Sequence, residues 1–265
     1  MTKFLAIAIT LLAVMRAAQA AELQSVEADR TEFKVTMSDG RVLRSRELAG
    51  AVLTIASGGQ MLRVRIDAVE RDPDAKRGEV WLHTLSIQGA DGAWQNMCGP
   101  SADGRRQGFP VAGRARAGDA MVEPAEPGIF ELTCTSGAQG KCVRFGYLPW
   151  ENAVQLAHFN ACIRMVRADY CGNGTPHTRD GTLIDLFDKL DTHRDEAVAG
   201  MEFEAGWSPQ GAVCVRRVRI SAAYSLDRLR AECPRLKPED IGAGCTEGRM
   251  QQDPAALLLN RSFPK

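Results

Sequence analysis

The first 97 residues contain no cysteine, and the whole chain contains only four histidines. Several motifs that announce common chemistries are also missing. There is no Cys-x-x-Cys pair and no His-Glu-x-x-His helix, which removes the commonest zinc signatures. There is no Gly-x-Ser-x-Gly elbow and no Gly-x-x-x-x-Gly-Lys loop, which removes the hydrolase nucleophile turn and the phosphate cradle. Neither sign of charge is in excess: 33 basic residues face 33 acidic ones. That balance gives no basic surface for nucleic acid and no polybasic tail for anionic lipid. Beyond the N-terminus, no apolar stretch approaches the roughly 20 residues a membrane helix needs. The mature chain is therefore expected to have no membrane span.

The N-terminus itself reads as a secretory signal. Lys3 supplies a positive start, Phe4 to Val14 is apolar except for Thr10, and Ala18-Gln19-Ala20 is a small-x-small cleavage site. The apolar run is too short to span a bilayer. Residues 1–20 are thus expected to be a signal peptide, with the mature chain starting at Ala21 and the protein exported to the periplasm or the cell exterior.

The cysteines agree. Eight are present, at Cys98, Cys134, Cys142, Cys162, Cys171, Cys214, Cys233 and Cys245. An even count in an oxidising compartment points to up to four disulfides. A chain of this length can bury a core without them, so such bonds would stiffen a particular region. Helix geometry separates two of the sulfurs. If a helix from Glu151 continues through Cys171, Cys162 and Cys171 are nine residues apart on it, about 13 Å along its axis and on opposite sides. A disulfide needs Cα atoms within roughly 7 Å, so the two must bond to different partners. Cys134 and Cys142 are candidates for them, or could bridge each other across a hairpin. Cys233 and Cys245 could close the C-terminal loop.

Residues 21–97 read as strands. Phe33, Val35 and Met37 alternate with Glu32, Lys34 and Thr36, the two-residue period of a half-buried strand. Ala51 to Ser57 and Gln60 to Ile66 flank the turn Gly58-Gly59. Glu79 to Gln88 places Trp81, His83, Leu85 and Ile87 on one face, with His83 as a hydrogen-bonded core or rim histidine. Residues 98–128 are rich in Gly, Pro, Ala and Arg without periodicity, and read as a linker or long loop. The cysteine-rich part, 129–265, opens with strands at Ile129 to Thr133 and Lys141 to Tyr147. A helix over Glu151 to Tyr170 follows, with Val154, Ala157, Ala161, Met165 and Ala168 as its apolar stripe. A shorter helix carries Leu183, Leu186, Phe187 and Leu190. A strand over Ala212 to Ile220, with solvated arginines in Arg216-Arg217-Val218-Arg219, precedes a helix capped by Ser225. Two glycine-turn segments, Gln139 to Arg144 and Gln210 to Arg216, echo each other faintly. The fold class is α+β: a β-rich N-terminal region, then a disulfide-stapled domain around one central helix.

Chemistry concentrates in Arg167 to Thr182, which packs a cysteine, a histidine, two carboxylates and three glycines into sixteen residues. His177 with Asp169 or Asp180 could form a base and its orienting acid. A thiol nucleophile would pair Cys171 with His177 or Cys142 with His158. Zinc could draw on His158, Cys162, Asp169, Cys171 and His177, but an oxidising compartment turns thiols into disulfides. Calcium could draw on Asp180, Asp185 and Asp188, although a solvated acidic face explains those residues more simply. Tyr147, Trp150 and Tyr170 are core or rim aromatics, or together line a ligand groove.

At Ala168-Asp169-Tyr170-Cys171 the sequence resembles the bacterial ADYC domain family, named for that tetrapeptide. The blocks Cys142 to Trp150, Ala161 to Arg167 and His177 to Thr182 resemble it as well, in the same order. The resemblance runs from about Trp94 to about Cys233. It implies an exported bacterial protein with a cysteine-rich domain and carries no assigned reaction or ligand. The first expectation is an exported, disulfide-stabilised binding or structural module, without metal or cofactor, for a ligand or protein partner the sequence does not name. The alternatives are a hydrolase-like enzyme using His177 with Asp169 or Asp180, and a calcium-stabilised form of the module.

Overall fold

The structure, a computed structural model, describes residues 21–116 and 118–264. The signal-peptide reading of residues 1–20 lies outside the described residues. The described chain is β-rich with four α-helices and four disulfides. No helix among the described residues is long and apolar enough to cross a membrane.

The first three strands, β1 (Leu23–Asp29), β2 (Glu32–Met37) and β3 (Val42–Arg44), form an antiparallel sheet. A 3-10 turn at Ser45–Leu48 leads into a second, six-stranded sheet. Its strands are β4 (Val52–Ser57), β5 (Gln60–Arg71), β6 (Trp81–Gln88), β7 (Trp94–Asn96), β8 (Gly108–Ala112) and, after two short strands, β11 (Phe130–Cys134). Those short strands are β9 (Arg114–Ala115) and β10 (Val122–Glu123), which pair with each other. The stretch read as a loop therefore holds structure. β8 pairs along its whole length with β11 and brings Phe109 and Val111 into the core. Pro110 sits where a missing N–H costs nothing, opposite Leu132 between hydrogen-bonded pairs. Low periodicity hid a strand that is buried on both faces.

Two short segments changed type. Lys141 to Tyr147 is not a strand; α1 (Ala138–Arg144) occupies it. Leu183 to Leu190 is not a helix but β12 (Ile184–Asp188), paired with β15 (Leu258–Ser262). The long helix is real and slightly shorter than expected, α2 (Ala153–Arg167), with the Asn152 side chain accepting from the Gln155 N–H at its start. β13 (Glu202–Ser208) and β14 (Gly211–Val215) complete a four-stranded sheet in the order β12-β15-β13-β14. The expected strand over Ala212 to Ile220 thus stops at Val215. Helices α3 (Leu226–Glu232) and α4 (Glu247–Gln252) lie between β14 and the last strand, β15. With α1 helical and β14 extended, the echo between Gln139 to Arg144 and Gln210 to Arg216 is not a structural repeat.

The six-stranded sheet is covered on both faces. One face packs Leu53, Val64, Ile66 and Leu85 against Phe33 and Val35 of the first sheet. The other gives Leu82, Phe109 and Val111 to a larger core with Phe159 and Ile163 of α2 and with Ala205, Trp207 and Leu258 of the last sheet. His83 is fully buried, as expected of a core histidine. Its Nδ1 lies 3.3 Å from the Gly108 carbonyl and so carries the proton. Its Nε2 then accepts from the Ser45 hydroxyl at 2.7 Å, while Ser45 accepts from the Phe33 N–H.

Candidate functional site

Each residue of the tetrapeptide does one structural job. Ala168 ends α2 in the left-handed conformation (φ 50°) with its methyl buried. That conformation costs a non-glycine residue about 1 kcal/mol, and it turns the chain back beneath the helix end. Asp169 is fully buried and acts as an acceptor hub. Its Oδ1 accepts from the N–H groups of Gly172 (2.9 Å) and Asn173 (3.2 Å), and its Oδ2 from that of Gly174 (2.8 Å). The Arg164 guanidinium closes the set on Oδ2. Arg164, itself buried, also pairs with Asp119 at 2.6 and 2.8 Å. Burial alone would raise the Asp119 pKa; the hydrogen bonds and charge of Arg164 outweigh it and hold it low.

Tyr170 enters a second buried network. Its hydroxyl donates to Glu204 Oε1 at 3.0 Å and accepts the Arg219 backbone N–H at 2.8 Å. Glu204 also binds the Arg219 guanidinium twice at 3.0 Å, the Asn260 amide at 3.1 Å and the Ser262 hydroxyl at 2.5 Å. Burial pushes the Glu204 pKa up, but Arg219 and these donors together bring it below the ordinary value. The cluster read as solvated arginines therefore contains one that is almost wholly buried: Arg219 is 1 % exposed. Its remaining donors reach the Met165 and Val166 carbonyls and the Thr178 hydroxyl, so it ties the end of α2 to the following loop. Cys171 completes the motif by bonding Cys233 at the end of α3.

The loop after the motif is held from several sides. Arg167 donates to the Gly174 carbonyl, and the His177 N–H donates to the Arg167 carbonyl at 3.0 Å. Gly172 (φ 71°) and Gly174 (φ 86°) admit no side chain, because a Cβ would collide with the carbonyl oxygens of Gln210 and Gly118. The His177 ring lies flat on Tyr224, with centroids 3.8 Å apart, and beside Tyr170 at 6.0 Å. Partial burial lowers its pKa; the charges of Glu232 and Asp169 act the other way.

The expected dyads do not assemble. Among the described residues no hydrogen bond joins the His177 ring to Asp169 or Asp180, and Asp169 has spent both oxygens on the loop and Arg164. All eight cysteines are paired: Cys98–Cys134, Cys142–Cys162, Cys171–Cys233 and Cys214–Cys245. Cys162 and Cys171 do take different partners. The proposed Cys134–Cys142 and Cys233–Cys245 bridges are replaced, because Cys142 lies in α1 facing α2 and Cys245 faces β14. The thiol-nucleophile and cysteine-zinc readings fall with them. The calcium candidates are dispersed as well. Asp185 pairs with Arg261, and Asp188 accepts the Tyr147 hydroxyl and three backbone N–H groups. Among the described residues no group of three His, Cys, Asp or Glu is arranged to hold a metal. Tyr147 and Tyr170 are wholly buried, so they cannot share an exposed groove with Trp150. Sequence reasoning missed Arg164, Glu204, Arg219 and Asn260; nothing local distinguishes a charged residue with a buried partner from a solvated one.

The ADYC domain profile matches residues 45–221, two-thirds of the chain. The chain belongs to the ADYC domain family. No curated protein and no solved structure matches it. The ADYC match begins at the 3-10 turn before β4, so it includes all six strands of the six-stranded sheet together with the tetrapeptide.

Proposed function

We propose that this ADYC protein is an exported, non-hydrolytic binding or structural module in which the tetrapeptide braces the loop Gly172 to Thr182. The observation that carries this reading is the Asp169 carboxylate. It is buried, saturated by three backbone N–H groups and Arg164, and so is occupied as a brace. Four disulfides suit an oxidising compartment, and the signal-like N-terminus supports export. The braced loop presents Thr175 and Pro176 to solvent. Beside it, Tyr224 links His177 to a shallow hollow of about 440 Å³ lined by Val218, Leu226 and Pro264. That rim is the proposed contact surface.

The test compares the protein with its His177→Ala variant on activated ester and amide substrates. Hydrolysis at the level of free imidazole, unchanged by the substitution, is the expected result. A turnover abolished by His177→Ala in a variant that melts like the parent would overturn the module reading.

A further inference from the structure

Natural sheets blunt their edges with charge, proline, short strands or a covering segment, because an open edge is a template for pairing. Most terminal strands here follow that rule. β1 carries Glu27 and Asp29, β11 carries Glu131, and β12 carries Asp185 and Asp188. β3 has three residues and ends on Arg44, and β14 is bridged by Ile241. β4 is different. It terminates the six-stranded sheet with Val52-Leu53-Thr54-Ile55-Ala56-Ser57, which holds no charge and no proline.

The register identifies which backbone groups β4 leaves open. The Ile66 N–H donates to the Ala51 carbonyl, so 51 and 66 oppose each other as a hydrogen-bonded position. Alternation in an antiparallel ladder then assigns Leu53, Ile55 and Ser57 to bonds with β5, opposite Val64, Leu62 and Gln60. The N–H and C=O groups of Val52, Thr54 and Ala56 therefore point away from the sheet. Among the described residues no hydrogen bond engages them. The same three side chains are solvent-exposed, whereas Leu53 and Ile55 pack inward.

We propose that β4 is a self-association edge, pairing antiparallel with β4 of a second copy of this chain about a two-fold axis at Thr54. In that register Thr54 faces Thr54 of the partner subunit, and Val52 faces Ala56 of the partner subunit. All the open donors and acceptors at these positions meet, and a Thr–Thr cross-strand pair is favourable. The pattern is self-complementary, as a two-fold interface requires. It also joins exposed apolar surface: Met61, 66 % exposed, lies opposite Ala56, and Val52 is 39 % exposed. Charge does not oppose the pairing. The nearest like charges, Arg63 and Arg65 on β5, sit one strand back on each side. Three strand spacings, about 14 Å, would separate them from their counterparts, beyond the Debye length of about 8 Å at physiological salt. The surface lies apart from the braced loop, so this inference and the module reading stand separately.

Sedimentation velocity of the purified protein over a concentration series tests it, alongside Thr54→Pro and Thr54→Lys. Pro removes an outward N–H without breaking a β4–β5 bond; Lys leaves the backbone intact and places a charge at the axis. The expected result is a concentration-dependent dimer whose Kd rises at least tenfold in both variants, or in Thr54→Lys alone if Thr54→Pro does not fold. A parent that stays monomeric throughout, or a dimer whose Kd neither folded variant changes, would overturn the proposal.

Discussion

Replacing Asp169 by Asn changes almost no volume and removes one charge, yet it should be among the most damaging single substitutions in the molecule. Both carboxylate oxygens face two donors each: Gly172 and Asn173 on Oδ1, Gly174 and Arg164 on Oδ2. An amide has one oxygen and one NH2 group. Whichever way it is turned, the NH2 meets two donors in a site with no solvent exposure. A buried donor left without a partner costs about 1–3 kcal/mol. Turned one way, the NH2 does this to the Gly174 N–H. Turned the other way, it faces Asn173, an exposed residue, and Gly172, whose N–H keeps the Asp169 backbone carbonyl at 3.3 Å. Breaking a buried ion pair costs about 3–5 kcal/mol. These terms overlap, and Arg164 keeps Asp119, so a total of about 3–5 kcal/mol is expected. Domains of this kind are stable by about 5–15 kcal/mol, so the variant should fold but unfold early. Urea unfolding without reductant, with a slope of about 2–3 kcal/mol/M, should move the midpoint down by about 1–2 M. His177→Ala in the same assay removes the close ring contact with Tyr224 and the longer one with Tyr170. It removes no side-chain hydrogen bond seen among the described residues, so the loss is about 0.5–1.5 kcal/mol for each ring pair at most. A midpoint for Asp169→Asn within a few tenths of molar of the parent, or a larger loss for His177→Ala, would refute the reasoning.

The other expectations are more local. Converting Cys171 and Cys233 together to Ala opens a closure of 62 residues, which chain entropy puts at about 4 kcal/mol; calorimetry should show a correspondingly lower melting temperature. His83 titrates at about 4 instead of 6.5 because burial disfavours its charged form, against the pull of the Gly108 and Trp81 backbone. Its neutral form stabilises the fold above pH 6.5, and that contribution is lost as pH falls toward 4, by about 3 kcal/mol in all. His83→Gln should flatten this part of the stability–pH curve, and an unchanged slope would count against it. Denatured but unreduced protein should show no reactive thiol, and its native melting temperature should not respond to a calcium chelator.

How legible this was depended on the range of the interaction. The α2 helix, the strand around Phe33 and the buried histidine at 83 follow from local period, and the structure agrees, except that Val154, the first residue of the expected helical stripe, is exposed. Cys162 and Cys171 do take different partners, although α2 ends at Arg167, so Cys171 does not lie on the helix from which that separation was argued. Leu183, Leu186, Phe187 and Leu190 mimicked a helical stripe, but pairing with β15 makes that segment a strand and leaves Leu183 exposed. Short apolar runs carry that ambiguity. Lys141 to Tyr147 reads as a strand, yet the Cys142–Cys162 bond and packing on α2 go with a helix over Ala138–Arg144. At the candidate site, the density of polar residues in Arg167 to Thr182 was a true signal with the wrong first meaning. Asp169 reads as a catalytic partner until three backbone N–H groups and Arg164 are seen to consume it. Glu204, Arg219 and Asn260 come together from positions up to 56 residues apart, a distance no periodicity reports.

Amide hydrogen exchange at Gly172, Asn173 and Gly174 tests most directly whether the tetrapeptide is a brace. Because their N–H groups are bonded to a buried carboxylate, they should exchange only through openings that approach global unfolding. The same three amides should lose that protection selectively in Asp169→Asn. Exchange at the rates of an open surface loop in the parent protein would contradict the account.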